Sequence, residues 1–586
     1  MIMLRCIEWV ALPLEQMKEL RLMWFSKAID GRKRCILYSR GFKGSLELML
    51  DGVPNGALPG NTGSLSTSEQ IKRWFDTCIK QHDACNSVNS CSSDHAAPIR
   101  YLDIENDPIL LTKPATSIEY ACLSHCWGSG EHIFKTQRSN LMEHKSKGIF
   151  VDRLPKTFQD AIQICHNMDV KYLWIDSLCI VQDDDDDWNV QAAHMAGVYE
   201  GALFTIAASK AHDSSQGCFT QTKRRYLADI LPGISGVKIR FLLPRVLDSD
   251  GITGYSGRKG EDHPLYQRGW CLQEQLLSRR ILHFGAEEVI WECMSSMSHE
   301  SNPVFNTKKN SLLSLVPSSN GETSIQLYWY RLVEEYSRRS LTFHKDKLPA
   351  ISAIARKLQQ NHPNSRYIAG LWQETLLEDL LWRAAHPNSQ LCTSDDSKVP
   401  SWSWASISGE VKFIEPQLFS IAEIINKTFI TEVFEMTGRT KEAKILLKAP
   451  LLNLGELVIQ TIEPQLRSVH HPTVLLTILD ENFRNIDPWG IFWDYSSVSL
   501  RNGLENEIEK DLWVMIIGLT GISTRFRVKC LVLKKHHNMN TYSRVGFVVL
   551  QADIYNFVTS YTPSAVVEEF MRDFFERMEK SEVILI

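Results

Sequence analysis

Between residues 117 and 209 the sequence changes its hydrophobic period four times, and this alternation restricts the available folds more than any other feature. SIEYACLSH reads as a strand. LPKTFQDAIQICHNM follows as an amphipathic helix, with Phe158, Ala161, Ile162 and Cys165 at helical spacing and Pro155 near its start. KYLWIDSL is a second strand. DWNVQAAHMAGVYEGA is a second helix, with Met195, Val198, Tyr199 and Ala202 on one stripe, and LFTIAAS is a third strand. This order predicts parallel βαβ units in an α/β sheet, with right-handed crossovers that lay the helices over its faces. Ligands in such sheets bind at the carboxyl ends of the strands. Two strand exits there are unusual: LSHCWG at 123–128, and Asp176, which ends the apolar run LWID.

The remaining sequence divides around this block. A chain of 586 residues is too long for one ordinary core, so about two to four domains are expected. Residues 1–65 form an N-terminal segment that ends in a Gly/Pro/Ser-rich linker, and 66–116 a helical lead-in. In that lead-in Ser66 or Ser68 is the candidate N-cap, with Ile71, Trp74, Phe75 and Cys78 on one face. The α/β block takes residues 117–285 and closes with RRILHFG, which EEVIWEC can pair as a second strand. A mainly helical extension follows at 286–415. Residues 416–586 read as short strands (AKILLKAP, ELVIQTI, TVLLTIL, LWVMIIGL, KCLVLKK, VGFVVL) with a terminal helix, AVVEEFMRDFFERMEK.

Composition excludes several classes. Apolar residues at 44% and charged residues at 23% are those of a soluble globular chain. A net charge of −5 gives no general pull toward nucleic acid or anionic lipid, and no nucleic-acid partner is expected. Arg5, Glu8 and Glu15 interrupt the apolar N-terminus, and no run reaches the roughly 18 apolar residues of a membrane span. An intracellular protein is expected. Fourteen scattered cysteines then read as reduced, buried side chains. One cluster, Cys78, His82, Cys85 and Cys91 in CIKQHDACNSVNSC, holds zinc-type ligands, but its spacing fits no standard knuckle. No metal is expected, with zinc at these four as the alternative.

Four stretches carry polar groups of interest. Ser124-His125-Cys126 suggests a nucleophile, yet neighbours on a strand point to opposite faces, and no G-x-S-x-G elbow surrounds them. Ser124 more simply holds a loop or ligand, and Gly128 permits close backbone approach. Asp176, in an apolar strand, must meet a cation, backbone amides or a polar ligand, with Arg268 as the candidate ion-pair partner. The run Asp183–Asp187 lacks EF-hand spacing and reads as a solvated turn and helix start, with Asp187 as the capping candidate. In RGWCLQEQLLSRR, Trp270, Gln273 and Glu274 share a helix face, either lining a pocket or forming a salt-bridged packing helix. No dinucleotide fingerprint, Walker loop or H-E-x-x-H is present.

YACLSHCWG (120–128), YLWIDSLCIVQDD (172–184) with DWNVQAAHMAGVYEGA (187–202), and RGWCLQEQLLSRRIL (268–282) resemble, in order and spacing, the three motif blocks of the fungal heterokaryon incompatibility (HET) domain. CIKQHDAC, DKLPAISAIA and VPSWSWAS are similar to flanks of such proteins. The resemblance implies a cytoplasmic protein of a filamentous ascomycete that triggers growth arrest and cell death when non-self hyphae fuse. It also implies a flavodoxin/TIR-like α/β fold with helical flanks and a β-rich C-terminal region. Some TIR domains hydrolyse NAD, which makes a nucleotide ligand and glycosidic cleavage the candidate chemistry by analogy. Two positions depart from the family: His125 where many members have tyrosine, and Gln191 where an acid is frequent. An amide cannot serve as a base, so Asp176 and Glu274 remain the catalytic candidates. Ser124, Trp127, Gly128, Gln182, Arg268, Trp270 and Gln273 are the candidate pocket residues. No cofactor is expected. A protein partner or self-association is, since the chain has no NACHT-type switch of its own. The competing reading is a non-enzymatic signalling and self-association module, or an inactive paralogue.

Overall fold

The computed structural model describes residues 58–86, 98–113, 118–129, 133–227, 263–301, 325–386, 399–413, 418–425, 444–453, 511–520, 525–536, 540–555 and 576–586, together with the strands at 20–23, 35–39, 45–50, 229–230, 237–241, 302–307, 473–478 and 491–493. Two compact units result, Met1–Leu315 and Val316–Ile586.

The first unit is built on a nine-stranded mixed sheet. Its strands are β1 (Tyr101–Asp103), β2 (Leu110–Thr112), β3 (Ala121–Ser124), β4 (Tyr172–Ile175), β5 (Thr205–Ala207), β6 (Arg280–Phe284), β7 (Val289–Cys293), β8 (Met297–His299) and β9 (Asn302–Thr307). They lie in the order β9-β8-β7-β6-β5-β3-β4-β1-β2. The inner four, β6, β5, β3 and β4, are parallel, and the flanking pairs are antiparallel. Numbered along the chain, the parallel strands run in space as second, first, third, fourth, so the order reverses between β3 and β5.

The reason for this core lies in the side chains. All four residues of β3 are buried, as a strand covered on both faces requires. Helix α1 is Leu65–Gln81, α2 is Lys156–Asn167, α3 is Asp185–Gly201 and α4 is Trp270–Leu277. Cys122 Sγ donates to the carbonyl of Val198 in α3, and Trp174 of β4 packs edge-on against Tyr199, so α3 covers the face to which these residues point. His125, one position out of phase with Ser124, packs on Phe158 of α2 over the other face. The inner faces of α2 and α3 bury Phe158, Ala161, Ile162 and Cys165, and Met195, Val198 and Tyr199. Those are the two stripes read from the sequence.

Helix α2 also buries an acid. Asp160 accepts from the backbone N–H of Cys218 at 2.8 Å and of Phe219 at 3.3 Å, which ties the 217–219 loop to the helix. Gly217 makes this possible. Its φ is +79°, and a Cβ there would stand 2.5 Å from Asp160 Oδ2.

Three local expectations are corrected. Helix α1 begins two residues earlier than Ser66 and four earlier than Ser68 would allow: Ser64 is its N-cap, accepting from Thr67 N–H at 3.2 Å. Helix α3 is capped by Asp184, whose carboxylate accepts from Asp187 N–H at 3.2 Å, and not by Asp187. The aspartate run is not simply hydrated. Asp187 accepts from Val181 N–H at 2.8 Å and pairs with Arg100, while Asp183 and Asp184 hold the backbone and guanidinium of Arg138. The five acids therefore divide: three bind neighbours and two, Asp185 and Asp186, face solvent.

The second unit opens with helices Ile325–Ser337 and Pro349–Asn361 and a tryptophan-rich core, in which the indoles of Trp329 and Trp404 both donate to the carbonyl of Gly370, at 2.9 and 2.8 Å. Beyond residue 418 it is β-rich. Ile445–Asn453, Leu512–Thr520, Arg525–Lys535 and Thr541–Tyr555 form the body of an antiparallel sheet, as the patterns AKILLKAP, LWVMIIGL, KCLVLKK and VGFVVL predict. The chain's last strand, Lys580–Leu585, pairs with Ile445–Pro450. ELVIQTI and nearly all of the expected terminal helix lie outside the described residues.

Candidate functional site

The three polar segments meet at the carboxyl ends of β3 and β4, beside the point where strand order reverses. Ser124 closes β3 and donates from Oγ to Glu274 Oε2 on α4, with Cys271 Sγ 3.8 Å away. Trp127, three residues further on, donates from Nε1 to Asp176 Oδ2 at 2.9 Å. Asp176 begins a short helical turn at the end of β4, and its Oδ1 also accepts from Ser177 N–H at 2.7 Å. One strand exit thus holds both acids, Glu274 by a hydroxyl and Asp176 by an indole. Arg268 returns to the same exit, where it donates to the carbonyl of His125. That contact replaces the direct ion pair with Asp176 expected from the sequence.

Burial governs the charges. Glu274 is 2% exposed, whereas the Asp176 side chain keeps 13% of its surface. Burial pushes the Asp176 carboxyl up to about 6; the Arg268 charge works against this, and the Glu274 charge reinforces it. Burial also drives the His125 imidazole well below its ordinary value, and the Arg268 charge adds to the effect. His125 is therefore neutral near pH 7, and its Nδ1, 3.7 Å from Asp176 Oδ1, does not form an ion pair. Arg268 stays protonated: burial opposes its charge, but Cys271, Glu274 and Asp176 around it outweigh that. At neutral pH the cluster holds one buried cation between two carboxyl groups.

The other candidates have different duties. Gln182 donates from Nε2 to the carbonyls of Asp176 and Ile180, both at 3.1 Å, and so fixes the turn behind Asp176. Gly128 has φ +87°, and a Cβ there would stand 2.7 Å from Asp213 Cβ, so its freedom serves loop packing against residue 213. Trp270 packs edge-on against Trp188 at 6.2 Å, joining α4 to α3. Gln273 is 1% exposed, and neither of its amide atoms makes a hydrogen bond within the described residues.

Gln273 shares that condition with Gln191, Ser177 Oγ and His125 Nδ1. Each unpaired polar group costs about 1–3 kcal/mol when buried. Two of them, Ser177 and Gln273, lie on the elements that carry Asp176 and Glu274, so each acid has a neighbour with hydrogen-bonding capacity to spare. The apolar stripe alone does not include Gln191, which stands out only as a departure from the family pattern. It lies one helical turn before Met195, on the face that α3 buries.

Residues 120–274 match the family model of the heterokaryon incompatibility protein (HET). This segment of the chain is similar to the HET domain. The matched segment opens at Tyr120, at the start of β3, and ends on Glu274, the residue that Ser124 holds, so the first and last motif blocks of the HET domain are joined by a hydrogen bond. The match links this segment to a family named for heterokaryon incompatibility. No curated protein and no solved structure matches the chain. Among the described residues no helix is long and apolar enough to cross a membrane.

One further cluster lies outside the matched segment. Cys78, His82 and Cys85 converge, and the fourth side chain among them is Cys293 of β7. Cys91, the neighbour expected from the sequence, lies outside the described residues. These four can hold a metal; no group near Asp176 and Glu274 forms a comparable set among the described residues.

Proposed function

We propose that this protein is a cytoplasmic effector of fungal heterokaryon incompatibility, whose assembly with a partner or with itself leads to cell death by cleavage of a dinucleotide such as NAD. The observation that carries the reading is the pair of carboxyls, Asp176 and Glu274, held by one strand exit at the reversal of strand order. Open α/β sheets bind nucleotides at that place. The order second, first, third, fourth is the flavodoxin-like order, and it supports the TIR-like reading. In the proposed step Asp176 faces the ribose. As the bond between ribose C1′ and the nicotinamide nitrogen breaks, its electron pair leaves with nicotinamide, and the Asp176 carboxylate stabilises the positive charge that develops on the sugar. Water adds to C1′ and releases one proton, giving ADP-ribose. Glu274, almost fully buried, acts through Ser124 and is a positioning residue.

The test is NAD loss on incubation with the purified full chain, alone and after enforced oligomerisation, beside Asp176→Asn and Glu274→Gln. Turnover by the native chain that falls at least 100-fold in Asp176→Asn supports the proposal; no turnover in either state refutes it. A second reading, a non-enzymatic self-association module, is favoured by Gln191 in place of an acid and by a Glu274 already satisfied by Ser124. It requires concentration-dependent assembly and toxicity that both carboxyl substitutions leave intact.

A further inference from the structure

At the amino-terminal end of the parallel strands three thiols and an imidazole converge. Cys78 lies in the last turn of α1, His82 caps that helix, Cys85 follows in the turn Asp83–Asn86, and Cys293 ends β7. Cys293 is the register partner of Arg280, the first residue of β6, so the cluster sits where the parallel strands begin, away from Asp176 and Glu274. All four ligand atoms lie within 4.8 Å of one another, and Cys293 Sγ is 3.3 Å from His82 Nδ1. Zinc bonds of about 2.3 Å to sulfur and about 2.0 Å to nitrogen place tetrahedral ligand atoms about 3.5–3.8 Å apart, so little movement is needed to close the set.

Polar neighbours face each sulfur. Arg280 Nε donates to Cys78 Sγ at 3.2 Å, Ser295 Oγ is 3.6 Å from Cys85 Sγ, and Ser296 Oγ is 3.4 Å from Cys293 Sγ. Such donors stabilise thiolates and orient metal-bound sulfur. Arg280 adds an argument from charge. It is 2% exposed, and among the described residues it forms no ion pair with a carboxylate. Its other partners are neutral: the carbonyls of Leu203 and Cys85, the side chain of Asn86 and the ring of Phe75. A buried guanidinium among neutral groups is costly. Three neutral thiols would leave that charge uncompensated. Three thiolates and a neutral imidazole around Zn²⁺ carry a net charge of −1, and Arg280 cancels it.

We propose that Cys78, His82, Cys85 and Cys293 bind one zinc ion, releasing three thiol protons to solvent as it enters. Thiolate-rich sets select zinc among the common divalent ions, and four protein ligands leave no position for substrate, so the site is structural. It clamps the end of α1 to the antiparallel flank of the sheet across 211 residues of sequence between His82 and Cys293. The inference is independent of any activity at Asp176.

The experiment is metal analysis of the full chain purified under reducing conditions without added chelator. About one zinc per chain is expected, released as the thiols are titrated with an organomercurial. Cys293→Ser and Cys78→Ser are expected to lose it, and Cys91→Ser to keep it. Should the variants fail to fold, apo wild-type protein refilled with Co²⁺ gives the answer through its visible spectrum. Tetrahedral d–d bands with thiolate-to-metal charge transfer support the site. Absence of stoichiometric zinc together with no such Co²⁺ spectrum overturns it, as does zinc lost from Cys91→Ser but kept by Cys293→Ser.

Discussion

Asp176→Asn should make the protein more stable at neutral pH, and by an amount that depends on pH in a defined direction. A carboxyl raised from 3.8 to about 6 costs about 3 kcal/mol to ionise inside the fold, at about 1.4 kcal/mol per pH unit. The sign follows from linkage. Because the folded-state value lies above the unfolded one, the native state holds the proton more tightly; the stability this gives is complete below about pH 4 and is lost as pH rises through about 6. Asparagine cannot ionise, and its carbonyl can still accept from Trp127 or from Ser177 N–H, so the variant avoids that loss. The thermal midpoints of wild type and variant should agree to within a degree or two near pH 4 and then separate. At about 2 °C per kcal/mol for a unit of this size, the variant should melt about 6 °C higher at pH 7.5. Thermal unfolding of both full-length chains from pH 4 to 8 measures this. A constant gap across that range, or a variant that loses ground as pH rises, would refute the assignment of burial as the dominant influence on Asp176. A stabilised variant that has also lost NAD cleavage would show that the acid is kept at a cost to the fold, as active-site groups often are.

Two further perturbations separate structural from solvated groups. Gly217→Ala forces a side chain into a positive-φ position 2.5 Å from Asp160 Oδ2, and it should lower stability by about 2–3 kcal/mol in denaturant titrations. Within the aspartate run, Asp184→Ala should cost about 1 kcal/mol through loss of the α3 cap, while Asp186→Ala should change stability by less than about 0.5 kcal/mol; equal effects would mean that the run acts only by its summed charge.

Periodicity made the parallel core legible because each helix and strand buries one recognisable face. Phe158, Ala161, Ile162 and Cys165 repeat at helical spacing, and β3 and β4 are short apolar runs with polar exits. The strand exits carried the site as well, since an acid at the end of an apolar strand needs a partner wherever the chain goes. What local pattern could not show is which distant group answers it. Asp176 is held by Trp127 across 49 residues and Glu274 by Ser124 across 150, and nothing in either stretch encodes the other. Arg268 was the expected counter-ion, but hydrogen-bond geometry sent it to a carbonyl. The same limit explains Cys293: sequence proximity favoured Cys91, whereas strand register brings Cys293 to Cys78, His82 and Cys85.

The segment from Glu274 to Arg280 links the two clusters, and this gives each a distinct physical task. Helix α4 carries Glu274 at the carboxyl ends of the strands. Six residues later Arg280 enters β6 beside the thiols at the amino ends. Between them Ser278 Oγ donates to the Glu274 carbonyl at 2.6 Å and contacts Thr205 Oγ1 at 2.7 Å, so the segment has little freedom to slide along β5. A metal that fixes Arg280 therefore also fixes the register of β6 and the height of α4 above the sheet. Glu274 inherits its position from that anchor and from Ser124. Removing the metal should then act on α4 before it acts on β3 and β4: hydrogen exchange should rise first in residues 270–282, while residues 121–124 and 172–175 stay protected. Equal exchange gains in all three segments would mean that the thiol cluster supports the whole core and has no selective hold on the segment leading from Glu274.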